Sequence, residues 1–308
     1  MFLIDKIYNI KKNFIKWYKK YFTVEGTYTS LLPDKTYIKK LYKSRTGKKL
    51  NLKKPQTFNE KQNWLKLYDR RPEYTIMVDK YKAREYIAER IGEQYLVPLL
   101  GVWDSPDEID FNALPNEFVL KCNHDNGVII CRDKSKLDIE KTKEELAFRL
   151  NRDYYKKLRE WPYKNVPRKI ICEKFMENTN REKCLEYKMF CFSGKVKYIL
   201  VVADRTSNEK TTMDTYDFDW KHTNLVNGNT PLAGDVFNKP DCFEEICSIA
   251  QTLSRNIPFL RVDFNIWNNQ TYFGELTISD SGGFEKYKPE EWDHILGSLL
   301  ELPKKHRR

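Results

Sequence analysis

Three tight-turn signals, each set between two apolar β-like runs, constrain this chain more than any other feature. Asn126-Gly127 lies between the runs 118–122 and 128–131, Ser193-Gly194 between 187–192 and 196–202, and Asn268-Asn269-Gln270 between 259–267 and 271–276. Turns this short join antiparallel neighbours, so each pair reads as a hairpin. A further strand is expected over 169–173. Helical stretches separate the hairpins. One runs over 58–68 behind Thr57, with Glu60 three positions on completing a capping-box pattern. Others are expected over 75–91, ending near Gly92, over 139–155 and over 244–255. Hairpins interspersed with helices predict an α+β fold with largely antiparallel sheets.

The 308 residues divide by texture into a basic helix (1–24), a mainly helical charged region (25–110) and a β-bearing core (111–308). With 40% hydrophobic and 14% aromatic residues, disorder is excluded. Fifty-five Lys and Arg against 44 Asp and Glu leave a formal charge of +11. The excess points to an anionic partner: a nucleotide, nucleic acid, an anionic membrane or an acidic polymer. It fits a lysine-rich soluble protein equally well. A nucleic-acid binder should pair a lysine stripe with exposed aromatics, but here the aromatics sit within β runs and helix faces. Seven cysteines without a C-x-x-C pair form neither a disulfide framework nor a zinc site, as expected for a reduced, cytoplasmic protein.

No run approaches the ~20 apolar residues that span a bilayer. Charges at Asp5, Lys6, Lys11 and Lys12 rule out a signal peptide. Phe2, Leu3, Ile7, Ile10, Phe14, Ile15 and Tyr18 recur instead at helical spacing with lysines between them. Such a helix lies on an anionic leaflet, or docks on the protein's own body or a second copy.

The chemistry concentrates in three places. In Leu260-Arg261-Val262-Asp263 the Arg and Asp share one strand face, and a three-residue turn would bring Glu275 to the same side. Buried charge demands partners, and magnesium prefers carboxylates together with phosphate oxygens. A solvated surface cluster is the alternative reading of this hairpin alone. In Phe118-Val-Leu-Lys121-Cys-Asn123-His124-Asp125-Asn126-Gly127, a strand-end lysine precedes a polar turn whose N–H groups can fold over phosphate. In Ile170-Ile-Cys-Glu173-Lys174-Phe175, a strand end beside an aromatic ring suits an adenine, although an ordinary loop would look the same.

In order and spacing, Asp79-Lys80, Lys121 with Gly127, Glu173-Lys174, Glu186, Arg261-x-Asp263 and Glu275-x-Thr277 resemble the ATP-grasp superfamily. More narrowly, Phe58-Asn59-Glu60-Lys61, Lys121-x-Asn123-His124, Glu186-Tyr187-Lys188, Phe192-x-Gly194-Lys195, Asp204-Arg205 and Phe273-Gly274-Glu275-Leu276-Thr277 resemble the TupA-like ATP-grasp family. That family is associated with teichuronopeptide, capsule and other bacterial surface-polysaccharide loci. The resemblance implies two α+β subdomains, 111–172 and 173–308, with ATP between them. It implies phosphate contacts from Lys80 and Lys121 under the Gly127 loop. Adenine would lie at Glu173, Lys174 and Phe175, and ribose at Glu186. Arg261 would steady the γ-phosphate, and Asp263 and Glu275 would bind magnesium or manganese. Thr277 stands where the superfamily has Asn, leaving one metal or two. Lys188, Arg205 and His124 would surround the acceptor. The implied reaction is ATP-dependent amide ligation between an amine and a uronic-acid carboxylate of a surface glycan, with work at the inner membrane face. A sugar kinase would keep the same site. A glycosyltransferase using Asp217-Phe-Asp219 is a third alternative.

Overall fold

All three pairs of apolar runs form antiparallel hairpins, which fall in two of the three sheets among the described residues. The computed structural model describes residues 31–176, 185–203, 211–234 and 237–304. The helix expected over 1–24 and Arg205 lie outside the described residues.

The first sheet holds β1 (Leu99–Trp103), β2 (Phe118–Cys122), β3 (Val128–Cys131) and β4 (Ile170–Lys174) in the order β1-β4-β2-β3. It extends beyond 111–172 at both ends. The run Leu-Leu-Gly-Val-Trp, inside the mainly helical region, pairs antiparallel with β4 across a bulge. It is too short and too close to helices to stand out in sequence. The second sheet contains β5 (Leu185–Phe192), β6 (Lys195–Ala203) and β7 (Thr212–Asp217), while β8 (Val226–Asn227) stays outside it. With β9 (Phe259–Trp267) and β10 (Gln270–Thr277) the order is β10-β9-β5-β6-β7, and β8 pairs with β11 (Tyr287–Lys288). The helices are α1 (Asp34–Thr46), α2 (Phe58–Tyr68), α3 (Glu73–Val78), α4 (Lys82–Ile91), α5 (Ile139–Leu150), α6 (Tyr155–Leu158), α7 (Phe243–Ser254) and α8 (Glu291–Leu299). Among the described residues, no helix is long and apolar enough to cross a membrane.

Side-chain alternation decides what each sheet covers. On β2, Phe118, Leu120 and Cys122 are buried with Leu146 of α5, leaving Val119 and Lys121 on the other face. In the second sheet, Met189, Val201, Val262 and Phe264 pack against Ile246, Ala250 and Leu253 of α7 and Tyr74 and Met77 of α3. The opposite face is mixed. Phe190, Phe192, Leu200 and Phe259 pack under Ile38 of α1, Phe58 and Leu65 of α2 and Leu296 of α8. Nearer β10, the same face carries charged groups.

The capping box forms as expected: Glu60 N donates to Thr57 Oγ1 at 3.3 Å and Thr57 N to Glu60 Oε2 at 3.4 Å. The helix expected over 75–91 breaks instead at Asp79, whose backbone leaves helical geometry (φ −78°, ψ 105°). The Asp79 carboxylate accepts from the N–H groups of Tyr81 (2.9 Å) and Lys82 (3.2 Å), so it starts α4 as a cap would. The helix expected over 139–155 ends at Leu150 and resumes as α6.

Candidate active site

Lys188 and Glu186 on β5, Arg261 and Asp263 on β9, and Glu275 and Thr277 on β10 all project from one face of the second sheet. Glu275 stands directly across from Asp263. The route to that register differs from the sequence reading. The turn has two residues, Asn268 and Asn269, both at positive φ (49° and 60°) as a type I′ turn demands. Alone it would set Glu275 against Val262. A bulge between Phe273 and Glu275, at Gly274, shifts the register by one and restores the pairing.

The carboxylates are held by cations from β5, β9 and the junction between α3 and α4. Asp263 accepts from Arg261 Nε and Nη2, both at 2.7 Å, and from Lys188 Nζ at 2.6 Å. Lys188 Nζ also lies 3.0 Å from Glu186 Oε2. Glu275 receives Arg261 Nη2 at 3.3 Å, the Thr277 hydroxyl at 3.1 Å and Lys80 Nζ at 3.6 Å. The last Arg261 nitrogen, Nη1, donates to Asp280 at 2.5 Å. Burial pushes the Glu275 carboxyl up, but Lys80, Arg261 and Lys188 together outweigh it and hold the group at about 2. The Asp280 carboxyl lies above its ordinary value, because burial there outweighs Arg261.

The depressed Glu275 value carries a pH signature. The folded carboxyl binds its proton less readily than the unfolded one, so its stabilisation is full above about 4.5 and lost as pH falls toward 2. Wild type should lose more stability than Glu275→Gln across that window in urea titrations. Parallel curves would show that the cations do not depress this group.

Lys80 reaches the cluster because of the break at Asp79. Its backbone N–H donates to Asn123 O at 3.0 Å and its Nζ to Asp125 O at 2.8 Å. Asn123 fastens the junction: its Nδ2 donates to Asp79 Oδ1 (2.8 Å) and Pro167 O (2.7 Å), and its Oδ1 accepts from Lys169 N (2.8 Å). The loop joining β2 to β3 therefore spans five residues, Asn123 to Gly127, rather than a tight Asn-Gly turn. Gly127 N donates to Asp125 Oδ1, and Asp125 pairs with Arg149 of α5 at 3.1 Å. The Arg149 guanidinium lies against Gly127, only 1.5 Å from where a Cβ would stand, so only glycine admits the pair without displacing Arg149.

On the first sheet, Glu173 forms ion pairs with Lys121 and with Arg84 of α4. Val119, Lys121, Glu173, Val128 and Ile130 share the face away from α5, and Val128 and Ile130 are exposed there. Lys174 is exposed, and Phe175 lies under the Arg132 guanidinium at 4.6 Å. His124 stands apart from these groups. It is 2% exposed, its Nε2 lies 3.2 Å from Arg152 O, and burial lowers its pKa, so the neutral ring is part of the loop's interior.

The donor set fits a magnesium ion completed by phosphate oxygens. Among the described residues, no three His, Cys, Asp or Glu side chains gather as an all-protein cage. Two opposed carboxylates fit an ion that takes one or two protein carboxylates and leaves the rest to substrate.

A family model described as TupA-like ATPgrasp matches residues 60–301. The chain belongs to the TupA-like ATP-grasp family. Its two antiparallel sheets with flanking helices are an ATP-grasp fold. No curated protein matches the chain. Among solved structures, it is similar to D-alanine–D-alanine ligase from Bacillus anthracis complexed with ATP, at 15% identity and TM-score 0.37, over 71% of this chain and 55% of that one. A second structure of that ligase aligns at 15% identity and TM-score 0.42, over 80% and 69%. D-cycloserine synthetase DcsG aligns at 12% identity and TM-score 0.42, over 74% and 71%.

Sequence reasoning missed Arg84, Arg149 and Asp280. Arg84 and Arg149 lie on exposed-looking helices and carry no local signal. Asp280 had one: it opens the turn-rich Ser279-Asp280-Ser281-Gly282-Gly283 directly after β10.

Proposed function

We propose that this TupA-like ATP-grasp chain is an ATP-dependent carboxylate–amine ligase, joining an amino-acid or peptide amine to a uronic-acid carboxylate of a surface glycan or its precursor. The observation that carries the reading is the opposed pair Asp263 and Glu275 on one sheet face, compensated by Arg261 and Lys188 from that face and by Lys80 from the junction of α3 and α4. Asp263 and Glu275 would hold magnesium, which neutralises phosphate charge when bound. Lys80 and Lys121 would hold the phosphates beside the Asn123–Gly127 loop, and Arg261 would turn from its carboxylates to the γ-phosphate. Adenine would lie at Glu173, Lys174 and Phe175, with the exposed Ile130, in register with Glu173 across β2, as an apolar neighbour. Glu173, engaged by Lys121 and Arg84, would orient that lysine.

The acceptor carboxylate attacks the γ-phosphorus as the bond to ADP breaks, giving an acylphosphate. The amine then attacks the acyl carbon, releasing phosphate and one proton. The protein's share is positioning and electrostatics. The charge of +11 favours acidic partners. We place the reaction at the inner face of a membrane, with the sheet of β1 to β4 and the sheet of β5 to β7, β9 and β10 as the cores of two subdomains enclosing ATP.

The test is a panel of uronic acids and amino acids, the acids presented free or on anionic vesicles, with ATP and magnesium. ADP should form only when acid and amine are both present, with product mass equal to their sum minus water. A stable phosphorylated sugar formed without amine would make the chain a kinase, and no ADP under any pairing would remove the ligase reading.

A further inference from the structure

Lys66 of α2 is 4% exposed, and a buried ammonium persists only where its protons find partners. Its Nζ donates to Gly282 O at 2.5 Å and to Leu158 O at 2.9 Å. One turn back on the same face, Asn63 Nδ2 donates to Gly283 O at 2.7 Å. A further turn back, Asn59 Nδ2 donates to Glu285 O at 2.9 Å and its Oδ1 accepts from Glu285 N at 3.0 Å. Positions 59, 63 and 66 thus form a polar stripe at helical spacing, buried where an apolar face would ordinarily stand.

That stripe holds backbone whose own hydrogen bonds, Gly282 N to Ser279 O at 3.1 Å and Phe284 N to Ser281 O at 3.3 Å, leave the Gly282 and Gly283 carbonyls to α2. Ser281, Gly282 and Gly283 all have positive φ (48°, 61° and 77°), three successive residues in a region that L residues avoid. A Cβ on Gly282 would meet Leu158 Cδ1 at 2.6 Å, and one on Gly283 would meet Asn63 Nδ2 at 2.9 Å, so the turn is seated tightly. The turn begins at Asp280, whose carboxylate takes Arg261 Nη1. Among the described residues, Asp280 Oδ2 receives a long contact from Tyr287 OH, 3.4 Å away.

We propose that Lys66 is a positioning residue for Arg261, acting through the 281–283 turn and Asp280. The kinetic part rests on the ligase reading above; the geometric part does not. Removing Lys66 alone leaves the Gly282 and Leu158 carbonyls and the neighbouring buried Glu160 without their cation, so stability falls as well, and the readout at Arg261 is what separates positioning from folding. Holding Gly282 O and Leu158 O at once fixes the height of Asp280 above the sheet, and with it the guanidinium.

Lys61 provides the control. On the same helix its Nζ also binds two carbonyls, Gly297 O (2.7 Å) and Leu300 O (2.8 Å), but these belong to the end of α8. Lys66→Met should lower kcat for ATP turnover about 10- to 100-fold, the range for small misplacements of a reacting group, with KM for ATP within about threefold. Lys61→Met should leave kcat within about twofold. Independently of turnover, the Arg261 Nε–H resonance, identified by its loss in Arg261→Lys, should shift and exchange faster in Lys66→Met and stay unchanged in Lys61→Met. If Lys66→Met does not fold, Asn63→Leu tests the same turn and should move the same two readouts. An unmoved Arg261 resonance, or equal kcat losses in the Lys66 and Lys61 variants, would overturn the proposal. If wild type hydrolyses no ATP with any acceptor, the ligase reading fails and the resonance alone decides.

Discussion

Replacing Asp263 by Asn should lower ATP turnover by roughly 100- to 1000-fold or more, the scale for removing one electrostatic element from a preorganised site. Asp263 is 5% exposed and serves three contacts, two from Arg261 and one from Lys188. Asn keeps the shape but loses the charge, so it can neither ligate a divalent ion strongly nor balance two cations. The fold should survive, because Lys188 retains Glu186 at 3.0 Å and Arg261 retains Asp280 at 2.5 Å. Glu275→Gln should act alike on turnover. Wild-type turnover in either variant, measured as ADP release at saturating magnesium, would falsify the metal assignment.

Gly297→Ala should produce the second large effect, on stability. A Cβ at Gly297 would lie 2.3 Å from Gln56 O and 2.8 Å from both Thr57 C and Phe58 N, all backbone atoms at the start of α2. Alanine gains about 1 kcal/mol over glycine within a helix. The clash should outweigh that gain, since backbone cannot swing aside as a side-chain tip can. Pushing α8 away loosens Trp292 and Leu296 in the core beneath it. Overpacking of this kind costs about 1–3 kcal/mol. A Tm lowered by several degrees, with an urea midpoint shifted to match, is the expected result; an unchanged or raised Tm would mean the helices stand farther apart.

Much of this was legible in the chain. Short turns between apolar runs specify antiparallel pairing by local geometry, as they do for β5–β6 and β9–β10; β2 and β3 also pair, but across a five-residue loop in place of the tight Asn-Gly turn. Thr57 and Glu60 announced the start of α2, since a capping box involves only neighbours in sequence. The break at Asp79 was not legible. Residues 75–91 satisfy helical periodicity; Asp79 caps α4 through its neighbours Tyr81 and Lys82, and Asn123, 44 positions away, also bonds its carboxylate. The register of β9 and β10 was foreseen by a route the structure does not take, a longer turn in place of a short turn and a bulge.

The cations answer to a similar division. Lys80, Lys121 and Arg261 stand in recognisable strings, but Arg84 and Arg149 do not, because their partners Glu173 and Asp125 lie 89 and 24 positions distant. By itself the sequence determined the α+β class, the hairpins and the charged strings around Lys80, Lys121 and Arg261, all of which are read over short range. Only the tertiary structure decided which charges neutralise one another, why His124 is buried, and that α2 reaches the turn behind Arg261. Those outcomes depend on contacts between distant segments, whose ordering entropy is offset only when the whole core closes.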